Sequence, residues 1–394
     1  MNTNSTTDKF FNEQSEKSAI KVAIVSTFFS VYLRIILSGI SKSKNNLYYI
    51  DLFAGPGKYK NGTDSTPMKI LDIIESSNQN DLKRKIQCVF NEADDKYYTQ
   101  LQNNVTSHNV YNRLIHKPII MNKDAADVDL QPYLNGQSPV FSFIDPFGYK
   151  STSATQIWSL VKNVGSDCVF FFNANRIILD YNKDGKENDF KKIFGTYYSK
   201  AKEAVNSNAS HNDKMKSILG AFSHNLYDIV RNQNYDYNLY LLPFGFSFDD
   251  RERRSHYLLF ITKNHKAVME MKGVMSKLSN NIGAEYNYDE KIVNQISFFK
   301  LEDDLYENFL KTISVFRMEL CNECYSVNSL CKKLDELSME RYYKVTPFTI
   351  KDIRRFVRRL YDNGFLEGKF SFKGNEIFSD NRVIKFKELE KYGG

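Results

Sequence analysis

Tyr48-Tyr49-Ile50-Asp51-Leu52-Phe53-Ala54-Gly55-Pro56-Gly57 and, 94 residues on, Phe143-Ile144-Asp145-Pro146-Phe147-Gly148 decide how this chain folds. Each is an apolar run of strand length that stops at an aspartate. The first then enters a turn carrying two glycines, the second an Asp-Pro-aromatic corner. Glycine tolerates positive φ and lets the backbone approach a ligand, so a strand opening onto Gly55 and Gly57 reads as the rim of a binding site. In open parallel sheets ligands sit beyond the carboxyl ends of the strands, at the topological switch point, which is where both stretches end if they are neighbours.

Working outward, residues 17–40 carry apolar residues at helical spacing (Ile20, Ile24, Phe28, Phe29, Tyr32, Ile36), which predicts a helix covering one flank of the sheet. Ser26, Thr27, Ser30, Arg34 and Ser38 interrupt its apolar run, so it reads as a buried helix rather than a membrane span. Ser65 or Thr66 ahead of Pro67 reads as the N-cap of a helix over 68–75. Strands are predicted over 86–92, 115–121, 138–145 and 168–173, the second of them interrupted by Pro118. Helices are predicted over 94–105 and 153–162. This alternation is the mark of a parallel sheet covered on both faces, hence an α/β, Rossmann-like fold. Residues 176–235 turn polar and helical and read as an insertion. Two strands, 238–246 and 255–262, flank the charged turn Asp249 to Arg254 and read as an antiparallel hairpin ending the sheet.

The 394 residues, 42% of them hydrophobic, can bury a large core and suggest more than one domain. The division expected is an N-terminal helical segment (1–45), a sheet domain (46–285) and a C-terminal domain (300–394). Five cysteines without a paired framework, and a polar start without a signal-peptide core, point to a reducing, cytoplasmic setting. A formal charge of +7 leans toward nucleic acid as partner. The excess is uneven: Arg341, Lys344, Lys351, Arg354, Arg355, Arg358, Arg359, Lys369 and Lys373 face only Asp352, Asp362 and Glu367 in that stretch. The same charges would also suit a solvated helix face.

The strand ends have a chemical reading. In a methyltransferase built this way, Asp51 with the turn Phe53-Ala54-Gly55-Pro56-Gly57 would hold the charged methionine part of S-adenosylmethionine, whose ammonium needs a carboxylate or carbonyls. Glu92 ends the second strand and can accept ribose hydroxyls, as acids do at this place in dinucleotide folds. Asp124, after the third strand, can meet the adenine amino group. Each acid singly would serve equally as a helix cap or solvated turn residue; their order along the sheet favours the ligand. At the corner, Asp145 and the Pro146 carbonyl can accept both N–H bonds of an exocyclic amine and free its lone pair. Phe147 can stack on the base, with Tyr149 as second choice.

Asp51-Leu52-Phe53-Ala54-Gly55-Pro56-Gly57-Lys58-Tyr59, Asp145-Pro146-Phe147-Gly148 and Tyr257-Leu258-Leu259-Phe260-Ile261-Thr262 resemble the three-Cys-motif partner family, bacterial proteins with a class I methyltransferase-like domain, over residues 15–280. The resemblance implies the fold and a neighbouring partner protein; the cysteines of this chain are not the motif in the family's name. The Asp-Pro-Phe-Gly corner is similar to that of tRNA guanine-N2 dimethyltransferases, whereas adenine-N6 and cytosine-N4 enzymes carry Asp or Asn, Pro, Pro and an aromatic. The expected activity is methylation of a nucleobase amine in RNA or DNA. Two alternatives stand beside it: a sheet without catalysis that senses or scaffolds with a partner in phage defence, and a DNA-binding regulator.

The C-terminal quarter reads as helices over 305–324, 326–337 and 350–363 followed by a small hairpin around Phe370 to Phe378, the winged-helix order. Arg354, Arg355, Arg358 and Arg359 form a basic face opposite Ile353, Phe356, Val357 and Leu360, suited to phosphates. Cys321, Cys324 and Cys331 lack a fourth ligand at zinc spacing, and the six histidines are scattered, so no metal is expected.

Overall fold

The structure, a computed structural model, describes residues 15–40, 45–134, 136–149, 152–233, 238–248, 253–282, 285–289, 298–321, 323–367 and 384–386. The turn at 249–252 and the hairpin expected at 370–378 lie outside them.

Strands β1 (Leu47–Asp51), β2 (Ile86–Asn91), β3 (Ile119–Met121), β4 (Val140–Ile144) and β5 (Asp167–Phe172) run parallel. β6 (Tyr240–Phe248) and β7 (Arg253–Thr262) form the hairpin, with β7 antiparallel to β5. The sheet order is β3-β2-β1-β4-β5-β7-β6-β9-β8. Its first seven positions make the Rossmann-like sheet of class I methyltransferase domains, with the switch point between β1 and β4. The hairpin does not end the sheet: β9 (Tyr286–Asp289) adds parallel to β6, and β8 (Asn281–Ile282) pairs antiparallel to β9. The third strand is shorter than expected. Pro118 cannot donate to a ladder, so pairing starts at Ile119, while Ile115 is 62% exposed and bonds to the Lys83 carbonyl.

The central strands are buried along their whole length, which is why they read as unbroken apolar runs rather than alternating ones. Helix α1 (Glu16–Ile40) covers one face, as expected: Phe28 meets Phe260 at 4.7 Å, and Phe29 meets Tyr49 at 5.4 Å, ring centre to ring centre. Its stretch Ser18–Leu37 is long and apolar enough to cross a membrane, and half of it is buried in the fold. Helices α2 (Thr66–Ser76), α3 (Asn80–Lys85), α4 (Asp95–Thr106) and α5 (Ala154–Val161) join the parallel strands.

Residues 174–232 form α6 (Ala174–Asp180), α7 (Glu187–Phe194), α8 (Tyr198–Asn206) and α9 (His211–Asn232). The last of these lies on the sheet, with Phe222 stacked 5.0 Å from Phe172 and tilted against Phe170 at 5.5 Å. Helix α10 (His265–Leu278) follows β7 and packs beside α1. Then come α11 (Phe298–Val315), α12 (Arg317–Leu320), α13 (Val327–Tyr342), α14 (Ile350–Asp362) and a two-residue antiparallel pair, β10 (Leu366–Glu367) with β11 (Lys385–Phe386).

A buried polar cluster ties this last part to α10. Lys272 is fully buried and donates to both oxygens of Asp335 at 2.7 and 2.8 Å, while Asp335 also accepts from the Thr346 amide (2.9 Å) and hydroxyl (2.7 Å). His265 Nε2 sits 3.0 Å from the same carboxylate. Burial pushes the Asp335 carboxyl up, but the Lys272 and His265 partners outweigh it and hold it below its ordinary value. The Val345 amide extends the junction by donating to the Leu241 carbonyl at 2.9 Å.

Candidate active site

The parallel register puts Asp51 beside Phe90 and Phe143, so the acids that end β1, β2 and β4 collect at one rim. Two adjoining cavities open there, of about 320 and about 290 Å³. Phe53, Pro146 and Phe147 line both and so form the partition between them.

The larger cavity is lined by Asp51, Gly55, Ser65 and Asp145, with Lys21 of α1 and His256 of β7 closing it. Asp51 is buried. Its Oδ1 accepts the Phe53 amide at 3.0 Å, which fixes the start of the turn, and its Oδ2 has no hydrogen-bond partner. Burial pushes its carboxyl well above the ordinary range; the Phe53 amide opposes this, while the charges of Asp145 and Glu92 add to it. Ser65 occupies the N-cap of α2, yet its hydroxyl makes no capping bond and is likewise buried without a partner on the cavity wall. Two buried polar atoms without a protein partner, on residues that line one cavity, suit a ligand carrying donors. Between them runs the glycine turn, with Gly55 at φ +64° and Gly57 at φ +83°.

The second cavity takes Glu92, Asp124, Ala125, Tyr149, Arg176 and Asp180 into its wall. Glu92 already has two bonds: Oε2 accepts the Gly55 amide and Oε1 the Asp94 amide, both at 2.9 Å. Burial raises its pKa and those two amides oppose the rise. Asp124 caps the short 3-10 helix Ala125–Asp127 by accepting the Ala126 amide at 2.9 Å, so it is both a cap and a cavity residue.

At the corner after β4, Phe147 is 58% exposed and reaches both cavities. Tyr149 is differently placed. Its ring is buried against Phe190 at 4.8 Å and its hydroxyl donates to Asp180 Oδ2 at 3.2 Å, so packing takes up the ring face that stacking on a base would need. Asp145 does not stand alone: Lys21 Nζ lies 2.7 Å from its Oδ2 and 4.0 Å from the centre of the Phe171 ring. Sequence reasoning does not single out Lys21, although a signal exists. It falls in phase with Ser18, Val25, Phe28 and Tyr32, all buried, and a lysine on the apolar stripe of a helix needs a reason.

The four arginines of α14 are not brought to these cavities. Arg355 pairs with Glu302 (3.1 Å) and Asp352 (2.7 Å), Arg359 pairs with Asp303 (2.9 Å) above the Tyr306 ring, and Arg358 faces Asp362 at 3.8 Å. Arg354, Arg355 and Arg358 line a separate groove of about 650 Å³ between α14 and α10, which also receives Lys277 and Lys351. Cys321, Cys324 and Cys331 are free thiols.

No family model matches the chain, and no curated protein matches it. Among solved structures it is similar to the methyltransferase subunit of a type I restriction-modification system from Streptococcus thermophilus (10% identity, 62% of this chain and 43% of that one, TM-score 0.32). It is also similar to Trm1 from Pyrococcus horikoshii in complex with S-adenosyl-L-methionine (9%, 64% and 58%, TM-score 0.31), and to an O-methyltransferase from Bacillus cereus in complex with SAH (11%, 66% and 91%, TM-score 0.31). The chain thus spans less than two thirds of the length of the first and second of these.

Proposed function

We propose that this chain is an S-adenosylmethionine-dependent methyltransferase that modifies an exocyclic amine of a nucleobase in RNA or DNA. One observation carries the reading: Asp51, with its unpartnered Oδ2, and Ser65, with its unpartnered hydroxyl, are residues of one cavity wall beside the glycine turn, next to Asp145. In this reading Asp51 and the turn from Phe53 to Gly57 hold the methionine end, and Glu92 and Asp124, in the adjoining cavity, face the nucleoside end. When bound, the cofactor supplies an electrophilic methyl group on a sulfonium.

The remaining work belongs to the corner. Asp145 and the Pro146 carbonyl accept the two N–H bonds of the target amine, which turns the nitrogen lone pair out of conjugation; Phe147 offers an exposed ring for the flat base. Its position suits a base extruded from its stack. Nucleic acid as substrate class is supported by the groove between α10 and α14, where Lys277, Lys351, Arg354, Arg355 and Arg358 outnumber Glu270 and Asp352. We read α11, α13, α14 and the β10–β11 pair as a winged-helix-like module presenting that groove, and the three-Cys-motif partner family as kin by motif.

Calorimetric titration of the intact protein with S-adenosylmethionine tests the reading. Micromolar binding that Asp51→Ala weakens by at least tenfold is expected. Absence of binding, or equal binding by the variant, removes the proposal.

A further inference from the structure

Lys21 and Asp145 form a charged pair that the transfer chemistry alone does not call for. The pair sits inside the larger cavity, on the carboxylate assigned to the target amine, and joins residues 124 apart in the chain. It is not an ordinary surface bridge. The Lys21 side chain is 8% exposed and that of Asp145 is 21% exposed. The ammonium is held on one side by the carboxylate at 2.7 Å and on the other by the face of Phe171 at 4.0 Å. Burying an ion pair is a poor way to gain stability, because desolvation offsets most of the attraction and an apolar residue would serve α1 as well. A cation kept there, in a cavity, points to something it reads.

Side by side, Asp145 offers an acceptor and Lys21 a donor. The complementary ligand edge is an N–H donor next to a lone-pair acceptor, both neutral. Every exocyclic amine of the nucleobases is such an edge: N6 beside N1 in adenine, N4 beside N3 in cytosine, N2 beside N3 in guanine. An alkylammonium or guanidinium side chain carries donors only and a positive charge; at Asp145, whose charge Lys21 already compensates at 2.7 Å, it meets that ammonium at short range, whereas the cofactor's ammonium is assigned to Asp51.

We propose that Lys21 is a specificity-determining residue: with Asp145 it selects a neutral amidine edge as methyl acceptor and rejects cationic amines such as lysine and arginine side chains. The inference rests on the proposed function and sharpens its substrate class. Phe171 and α1 hold the ammonium in place, so Lys21 donates to the ring nitrogen while the amine donates to Asp145. The proton released when nitrogen gains the methyl group leaves through that carboxylate to solvent.

The test uses the full-length protein, Lys21→Met and Lys21→Arg. Three measurements are made: binding of S-adenosylhomocysteine, calorimetric binding of 9-methyladenine, 1-methylcytosine, 9-methylguanine and N-acetyl-lysine amide in its presence, and methyl transfer to single-stranded RNA and DNA oligonucleotides with the product mapped to base or ribose. Wild type is expected to bind at least one neutral base, ignore the lysine amide and place the methyl on a base. Lys21→Met should keep its S-adenosylhomocysteine affinity and lose base affinity about 10- to 100-fold, as for a hydrogen bond from a charged donor, while Lys21→Arg retains most of it. Equal base binding by Lys21→Met, wild-type binding of the lysine amide, binding of none of the bases, or a methyl group on a ribose hydroxyl overturns the inference and leaves the cofactor site standing. Failure of wild type to bind S-adenosylhomocysteine overturns the proposed function itself.

Discussion

Glu92, the first residue after β2, accepts the backbone amide of Gly55 through Oε2 at 2.9 Å, and so holds the glycine turn of β1 in shape before any ligand arrives. Its other oxygen takes the Asp94 amide, at the N-cap of α4. An acid expected to meet a ribose is therefore also the clip between two strand-end turns. Glu92→Ala leaves the buried Gly55 amide and the more exposed Asp94 amide without acceptors, at a cost of about 1–3 kcal/mol for the first and less for the second. We expect a fall of about 2–4 kcal/mol in urea-unfolding stability and at least a tenfold loss of S-adenosylmethionine affinity. Glu92→Gln keeps one carbonyl acceptor and should lie between. A variant that binds as wild type would show that the clip is not needed to shape the site.

Asp51 sets stability against binding. Burial makes its charged form costly, so its folded-state pKa is raised and the stability it costs grows as pH rises above the ordinary carboxylate range. Asp51→Asn keeps an acceptor for the Phe53 amide and removes the charge. The expected result is a higher melting temperature at pH 8 with a cofactor affinity lowered about 10- to 100-fold, the loss of a charge-assisted bond to an ammonium. Differential scanning calorimetry and titration of one preparation decide it; a variant with lower stability and unchanged affinity contradicts both halves.

The strands and their terminal acids were legible because a strand buried on both faces leaves a run of apolar letters that ends abruptly at a polar one, as at Asp51 and Asp145. What was not legible depends on distance in the chain. Lys21 meets Asp145 only because α1 crosses the sheet, and nothing local in Ser18 to Val25 names that partner. The β8 and β9 strands are two and four residues long, too short for a periodic signal, and the former joins the sheet through the latter. Tyr149 sits two residues beyond Phe147 but turns into the core, since Phe190 of α7, 41 residues later, provides the ring it stacks on.

The Lys272–Asp335 pair predicts how the C-terminal helices are held. Both side chains are fully buried, and each is the other's main compensation. Asp335→Asn leaves the Lys272 ammonium uncompensated, for which about 3–5 kcal/mol is expected. The double variant Lys272→Met, Asp335→Asn should recover most of that loss, because it removes the stranded charge and keeps an acceptor for the Thr346 amide. Urea unfolding of the two variants checks this; a double variant as unstable as the single one would locate the cost in packing instead.

Asp167 predicts a pH dependence. It opens β5, is buried, and accepts the Thr262 hydroxyl at 2.6 Å. Burial pushes its carboxyl up to about 7, opposed by that hydroxyl and by Lys263, while burial holds Lys263 itself down at about 8. Between the ordinary carboxylate value of 3.8 and about 7, the folded chain therefore holds a proton at Asp167 that the unfolded chain releases. From this group, stability is full below about pH 4 and falls as pH rises to about 7, by on the order of 4 kcal/mol. Other acids titrate in the same range, so the measurement is a difference. Asp167→Asn keeps the acceptor for Thr262 and has no proton to lose; its stability relative to wild type should climb steadily from about pH 4.5 to about pH 7.5 and then level. A difference that stays flat across that window would mean that Asp167 is ionised in the folded chain throughout, with Lys263 as its counter-ion.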